Sequence, residues 1–179
     1  VLPVIGASYI SRTKYDYSKV AQSIAGNADS KYDQAKLIFL WLCNNITYDV
    51  TYKFHTADDC FDNRSGVCQG YCELFYRLAE PLNLRTEIIF GKSKDGNNVI
   101  SDKGHSWLMV EVEDGWIFIE PTWGAGAVND GVFIKNDNPM PWFDVDPYWL
   151  IFNHFPDEPH YQMVSPAIDI ETFKMLPSS

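Results

Sequence analysis

Apolar residues recur at helical spacing in the first half of the chain. Residues 14–26 have the pattern of a short helix, and a capping box with Asp in place of Glu begins a second helix at Ser30–Asp33. That helix continues through the nearly all-apolar run Ala35–Cys43. A third helix is predicted from Cys68 to about Leu82. We expect its inward face to carry Leu74, Phe75 and Leu78, and its outer face an exposed pair of Glu73 and Arg77.

After residue 84 the apolar positions alternate, which is typical of β-strands. Strands are predicted at Arg85–Phe90, His105–Val112 and Trp116–Glu120, and further short strands near Phe133 and Met163. The second and third form an antiparallel hairpin around Asp114-Gly115. Helices followed by a meander of strands predict an α+β fold, with N-terminal helices packed on an antiparallel β-sheet.

Length and composition favour one globular domain over residues 1–179. The chain has 46% apolar and 21% charged residues, and we find no internal repeat, low-complexity tract or linker. Its net charge of −10 argues against a nucleic-acid partner, because phosphates would be repelled. A peptide or protein partner is compatible with this charge, and nothing in the composition calls for a cofactor.

The sequence contains no apolar run of the roughly 18 residues that a transmembrane helix needs. The first residues, Val1–Ile5, lack the charged lead and long apolar stretch of a signal peptide. The chain begins without Met, so removal of a leader, and with it an exported or cell-surface location, is slightly favoured over a cytoplasmic one. The sequence decides neither compartment nor oligomeric state.

The four cysteines do not have metal-ligand spacing. Cys43, Cys60, Cys68 and Cys72 include no C-x-x-C pair, which argues against structural zinc, and a disulfide framework is also weakly supported. The acidic clusters at Asp58-Asp59 and Asp95 lack the ligand spacing of a calcium loop. We therefore expect no metal site, and we expect Cys43 to pack as a small hydrophobic residue.

Cys68 is the candidate nucleophile. It stands where a loop ends and a helix begins, and unpaired N–H groups at a helix N-terminus favour the thiolate. Gly66 and Gly70 leave the sulfur uncrowded. Cys72 is the rival, but it lies one turn inside the helix and should face the core.

A histidine and a carboxylate follow in an order that suits acyl transfer. His105 begins one strand and Glu120 ends the next, so the two could act as base and orienting group for Cys68. A two-residue turn at Asp114-Gly115 would leave them on one face but about 13 Å apart along the strands. We therefore predict a bulge or wider turn between Val110 and Phe118.

Three segments resemble the signatures of the transglutaminase-like superfamily, whose fold is papain-like. They are Gly66-Val-Cys68-Gln-Gly-Tyr, His105-Ser-Trp107 and Glu120-Pro-Thr-Trp123-Gly. The upstream segment Trp41…Ile46-Thr-Tyr48-Asp49 is similar to the family's helix and following turn. The downstream segment Asn153-His-Phe-Pro156-Asp…Tyr161-Gln162 resembles the kyphoscoliosis-peptidase-like branch. The resemblance covers about residues 30–165, the expected core.

The resemblance implies Cys68 as nucleophile, His105 as base and then acid, and Glu120 as orienting carboxylate. This chain departs from the family where Glu120 replaces the usual Asp and Cys72 replaces a small residue. Cys72 is read as a core side chain, with a redox-sensitive neighbour as the alternative. The backbone N–H of Cys68 is the natural first oxyanion donor. Further oxyanion or substrate candidates are Gln69, Tyr52, His55, Trp107 and Trp123. We expect His154 and His160 to pack or cap the C-terminal segment.

Three functions remain open at this point. The first is a cysteine peptidase or amidase that forms a thioester on a peptide or glutamine-type amide, which the shortness of the chain favours. The second is a protein-crosslinking transglutaminase, in which an amine replaces water. The third is a non-catalytic binding or scaffold domain that retains the fold, which Glu120 in place of Asp and the lack of an evident side-chain oxyanion donor motivate.

Overall fold

Seven helices and nine strands cover most of residues 10–178, the part of the chain that this computed structural model describes; the Val1–Ile5 segment lies outside it. The helices are α1 Ser18–Ala25, α2 Lys31–Asn45, α3 Ala57–Asn63, α4 Cys68–Ala79, α5 Pro121–Ala125, α6 Pro147–Leu150 and α7 Ile170–Met175. The strands are β1 Thr47–Tyr48, β2 Ser65–Gly66, β3 Thr86–Ser93, β4 His105–Val112, β5 Gly115–Ile119, β6 Gly126–Asn129, β7 Val132–Lys135, β8 Phe143–Val145 and β9 His154–Pro156. No described helix is long and apolar enough to cross a membrane.

The main sheet has five antiparallel strands in the order β8-β5-β4-β3-β9. The long helices α2 and α4 pack against it and against each other, which confirms the predicted α+β architecture. Two smaller pairings lie outside the sheet: β1 and β2 are parallel, and β6 and β7 form a hairpin. The strand predicted near Met163 is absent, because Pro159–Gln162 forms a 3-10 helix there and Met163 adopts a left-handed φ of 56°.

The helical half of the core follows the sequence pattern. Ser30 caps α2, since its hydroxyl accepts a hydrogen bond from the Asp33 backbone N–H. Leu74, Phe75 and Leu78 of α4 are fully buried as predicted, and so is nearly all of Cys43 on α2. Burial of these apolar side chains fixes α4 beneath the sheet, and its N-terminus then points toward the strand that begins at His105.

The β4–β5 hairpin is regular from Val110 to Phe118, so the predicted irregularity is wrong. The turn falls instead on Glu113 and Asp114, with Val112 opposite Gly115. Gly115 carries a φ of 122°, which glycine adopts at little cost, and this displaces the register by two residues from the one predicted. The last printed pair of this register is Leu108 with Ile119, and its continuation by one residue brings Glu120 opposite Trp107. That position is about 7 Å along the strand from His105, within reach of a long side chain.

Strand β9 joins the sheet at a point where only glycine fits. Gly91 of β3 pairs with His105 on one side and with Pro156 of β9 on the other. A Cβ added at Gly91 would lie 2.7 Å from the Cα of Pro156, and closer still to the carbonyl oxygen of Phe155. The missing side chain thus lets β9 approach the end of the sheet that carries His105.

Replacing Gly91 with Ala should destabilise the protein by about 1–3 kcal/mol, because the new methyl group would force β9 away from β3. Urea unfolding of Gly91→Ala and of the wild type would measure this difference. Gly96→Ala is the matched control, since a Cβ at Gly96 meets no atom within 4 Å. Equal unfolding midpoints for Gly91→Ala and the wild type would contradict the close approach.

Candidate active site

Cys68 is the first residue of α4, as the sequence predicts. Val67 precedes the helix in extended conformation and provides no side-chain cap. The first hydrogen bond of the helix runs from the Tyr71 N–H to the Val67 carbonyl. The earlier backbone N–H groups of α4, those of Cys68, Gln69 and Gly70, therefore have no acceptor within the helix and point toward its N-terminal end, where they favour a negative charge.

A buried aspartate shapes the loop in front of the cysteine. One carboxylate oxygen of Asp49 accepts hydrogen bonds from the backbone and hydroxyl of Thr51, and the other accepts from the N–H groups of Lys53 and Phe54. Burial opposes the charge, but these hydrogen bonds lower the pKa of Asp49 to about 2. The Phe54 carbonyl in turn accepts from the Val67 N–H, so the loop is fastened next to Cys68.

His105 and Glu120 form a buried hydrogen-bonded pair. The Nε2–H of His105 donates to Oε2 of Glu120 over 2.5 Å, and both side chains are largely removed from solvent. The other carboxylate oxygen, Oε1, accepts from the backbone N–H groups of Thr122 and Trp123 at the start of α5. Because Nε2 is occupied, the ring nitrogen left for Cys68 is Nδ1.

The three groups shift one another's proton affinity. Burial would raise the pKa of Cys68, but hydrogen bonding and charge from His105 lower it below its usual range. Burial would likewise lower the pKa of His105, but the charge and hydrogen bond of Glu120, together with Cys68, raise it to about 10. Against the cost of burial, His105 and His154 lower the pKa of Glu120 to about 2. This arrangement favours an imidazolium beside a thiolate.

The remaining cysteines lack these features. Cys72 is fully buried one turn after Cys68, and burial raises its pKa well above the ordinary value. Burial also raises the pKa of Cys60, to about 12, and all four cysteines are free. Cys68 alone is partly exposed, so it is the cysteine that a substrate or reagent meets first.

Cys68 and His105 open into a cleft of about 930 Å³. Aromatic side chains form much of its walls, and the β6–β7 hairpin contributes an apolar rim. Its lining includes Tyr48, Tyr52, His55, Gln69, Asp95, Lys103, Trp123, Val128, Ile134 and Trp142. A cleft of this size accommodates several residues of an extended peptide.

Four of the five additional site candidates line the cleft. Tyr52 and His55 lie at the cleft, where the His55 ring contacts the Tyr52 carbonyl at 2.8 Å and Lys103 lies over the Tyr52 ring. Trp123 also lines the cleft. Trp107 does not, since it is 1% exposed and packs beside the His105 ring, so the expectation that it contacts substrate is corrected.

Gln69 lines the cleft, but its side-chain amide is already engaged. It donates to the Glu73 carboxylate over 2.9 Å. Glu73 is 1% exposed, and Arg77 pairs instead with Glu80, so the predicted surface pair of Glu73 and Arg77 is wrong. The buried Glu73 carboxylate holds the Gln69 side chain along the helix, so the amide of Gln69 is bound away from the Cys68 sulfur.

Sequence reasoning missed two residues at the site. Tyr48 lies opposite Gly66 in the β1–β2 pair and lines the cleft together with Cys68. His154 of β9 contacts Oε2 of Glu120 at 2.6 Å. Both residues belong to segments quoted for the family resemblance, and that was the available signal. Residue spacing alone cannot predict the contact between Glu120 and His154, which are 34 positions apart in the sequence.

Comparison with known proteins supports this architecture at the level of the family. Residues 18–121 match the family model of the transglutaminase-like superfamily. A candidate cysteine protease from Cytophaga hutchinsonii has a similar fold, with a TM-score of 0.53 and 21% identity over 63% of this chain and 40% of that one.

Two curated relatives match along most of the chain. Kyphoscoliosis peptidase of Mus musculus is 24% identical over 176 residues, which cover 90% of this chain and 26% of that protein. Hillarin of Drosophila melanogaster is 24% identical over 200 residues, covering 97% of this chain and 24% of that protein. The chain thus spans about a quarter of the length of these relatives. With more than half of its residues matched by the family model, the chain belongs to the transglutaminase-like superfamily.

Proposed function

We propose that this protein is a cysteine-dependent acyl-transfer enzyme that cleaves peptide or glutamine-type amides through a thioester, with water as the preferred acceptor. One observation carries the proposal. A partly exposed thiol with a lowered pKa lies at the N-terminus of α4, beside the buried His105–Glu120 pair and at an open cleft.

In the first step the Cys68 thiolate attacks the carbonyl carbon of the amide. The negative charge that develops on the carbonyl oxygen faces the N-terminus of α4, where the Cys68 N–H can donate to it. The C–N bond then breaks, and His105 gives its proton to the departing amine. A thioester on Cys68 and a neutral imidazole remain.

In the second step water attacks the thioester, and His105 takes one of its protons. The C–S bond breaks, the acid leaves, and the thiolate and imidazolium are restored. A primary amine in place of water would give transamidation. The cleft is open at its apolar rim, where Val128 and Ile134 are exposed, so water reaches the sulfur, and this supports hydrolysis.

A second oxyanion donor is proposed at Tyr48. Its phenol lies in the cleft with Cys68, close enough for the charge of Cys68 to act on it. Burial and, as a smaller effect, the charge of Cys68 raise the pKa of Tyr48 well above its usual range. The Tyr48 hydroxyl therefore remains a proton donor. A tyrosine hydroxyl can serve in an oxyanion hole.

Alkylation by iodoacetamide should occur at Cys68 and should remain fast below the ordinary thiol pKa of about 8.5. In His105→Ala the influences that lower the pKa are lost while burial, which raises it, remains, so the rate at pH 6–7 should fall about tenfold or more. Rates measured across pH, with mass spectrometry to identify the labelled cysteine, test this. Labelling at Cys72, or an unchanged rate in His105→Ala, would count against the proposal.

A glutamine-containing peptide library, incubated with and without a primary amine, should be cleaved or deamidated by the wild type. Chain cleavage, ammonia release and amine incorporation each identify a different reaction and are separated by mass spectrometry. Cys68→Ala should lose at least about 1,000-fold in rate, because no thioester forms. Cys72→Ala, the matched control, should retain activity. Amine incorporation as the main outcome would favour a transglutaminase; no turnover of any kind would favour the scaffold alternative.

Tyr48→Phe should lower kcat about 10–100-fold, because one oxyanion donor is lost. Its iodoacetamide reactivity should stay near that of the wild type, since alkylation develops no oxyanion. Tyr76→Phe, on the far part of α4 and away from the cleft, is the control. If Tyr48→Phe turned over substrate at the wild-type rate, the hydroxyl would have no part in the chemistry.

A further inference from the structure

Two buried imidazoles share one oxygen of Glu120. His105 Nε2 lies 2.5 Å from Oε2, and His154 Nε2 lies 2.6 Å from the same atom. The ring centroids are 5.2 Å apart, and the side chain of His154 has no exposed surface. The expectation that His154 packs or caps the C-terminal segment does not include this contact with the Glu120 carboxylate.

The proton positions follow from the surroundings of His154. Burial lowers the pKa of His154 despite the opposing influence of Glu120, so the ring is neutral and carries one N–H. A bare ring nitrogen at 2.6 Å from a carboxylate oxygen would be repelled, so the proton lies on Nε2 and is donated to Glu120. Nδ1 is then an acceptor. The atom of Asn153 that lies 2.5 Å from Nδ1 is Oδ1, so this tautomer requires the Asn153 amide to turn by half a rotation and present its NH₂ group to the ring.

The position of the ring is fixed from several sides. His154 begins β9 and pairs with Ser93 of β3, so its backbone belongs to the sheet. The indoles of Trp123 and Trp107 meet the ring edge-to-face, with centroid distances of 4.5 and 5.0 Å. The Nε2–H therefore has one direction available, which is toward Oε2 of Glu120.

We propose that His154 is a positioning residue for the acyl-transfer reaction: it anchors the Glu120 carboxylate so that His105 presents Nδ1 to Cys68. With Oε1 bound to the Thr122 and Trp123 N–H groups and Oε2 bound to two rings, the carboxylate cannot rotate. The Glu120 carboxylate thereby links donors on β4, β9 and α5. The catalytic part of this inference rests on the proposed function.

A bound metal is the main alternative explanation. His105, Glu120 and His154 offer ligand atoms that all lie within 4.8 Å of one another. The two nitrogen–oxygen distances, 2.5 and 2.6 Å, are those of short hydrogen bonds to a carboxylate and are less than the roughly 3.3 Å that separates two ligand atoms of one tetrahedral zinc ion. Hydrogen bonds therefore explain the close approach of these three side chains without a bound cation. Treatment with a chelator distinguishes the two explanations.

Two variants at one position test the role of the N–H. His154→Phe retains a ring between the indoles but has no donor, and His154→Gln loses the ring but keeps an amide N–H. His154→Phe should lower kcat about 10–100-fold, as loss of outer positioning partners commonly does, and leave KM within about twofold because His154 does not line the cleft. His154→Gln should stay within about fivefold of the wild type. Thermal unfolding of both variants identifies any loss of fold.

Equal loss in both variants with intact folds would mean that the ring only packs, and wild-type kcat in His154→Phe would mean that the donor is dispensable. Loss of wild-type activity on treatment with EDTA would assign the cluster to a metal. Each of these results overturns the proposal.

A measurement without substrate keeps the inference separate from the proposed function. Proton NMR of the wild type should contain a strongly downfield Nε2–H signal from each of the two rings, both hydrogen-bonded to Glu120. In His154→Phe one should vanish and the His105 signal should shift, whereas in His154→Gln the His105 signal should stay near its wild-type position. An unmoved His105 signal in His154→Phe overturns the positioning role. A shifted signal in a protein that turns over no amide refutes only the proposed function.

Discussion

The site depends on one carboxylate kept out of water. Glu120 is fully buried, and an ionised carboxylate in that setting is tolerable only when its oxygens are hydrogen-bonded. Two backbone N–H groups of α5 and two imidazoles supply those bonds. The same contacts join β4, β9 and α5 at one point. A single charge thus sets both the local packing and the proton affinity of His105.

The two halves of the fold supply different parts of the chemistry. The helical half presents a sulfur at the end of α4, where backbone N–H groups and the helix dipole stabilise an anion. The sheet presents the His105 imidazole, whose proton affinity is raised by the neighbouring Glu120 carboxylate. Neither half makes an ion pair alone. Their contact, fixed by the buried face of α4 against β4, brings thiol and imidazole into one cleft.

Local features of the site were predictable because they depend on short stretches of sequence. The Ser30 cap follows from the capping rule, and the start of β4 at His105 follows from the alternation of apolar residues. The start of α4 at Cys68 follows from the onset of helical spacing after a glycine-containing loop. The register of the β4–β5 hairpin was not predictable in this way, because Gly115 adopts a positive φ just after the turn and shifts the strand pairing by two residues. The site residues His154 and Tyr48 were also missed. Their places depend on strand pairings between distant segments, which spacing does not specify.

The edge strand β9 restricts the positions at which domains of this kind can be joined to one another in chimeric proteins. The segment matched by the family model ends at residue 121, yet a donor to Glu120 comes from β9, more than thirty residues later. A chimera joined directly after α5 would contain Cys68, His105 and Glu120. It would lack His154, the second imidazole that donates a hydrogen bond to the Glu120 carboxylate. Crossover points that preserve a working site are therefore expected beyond Pro156.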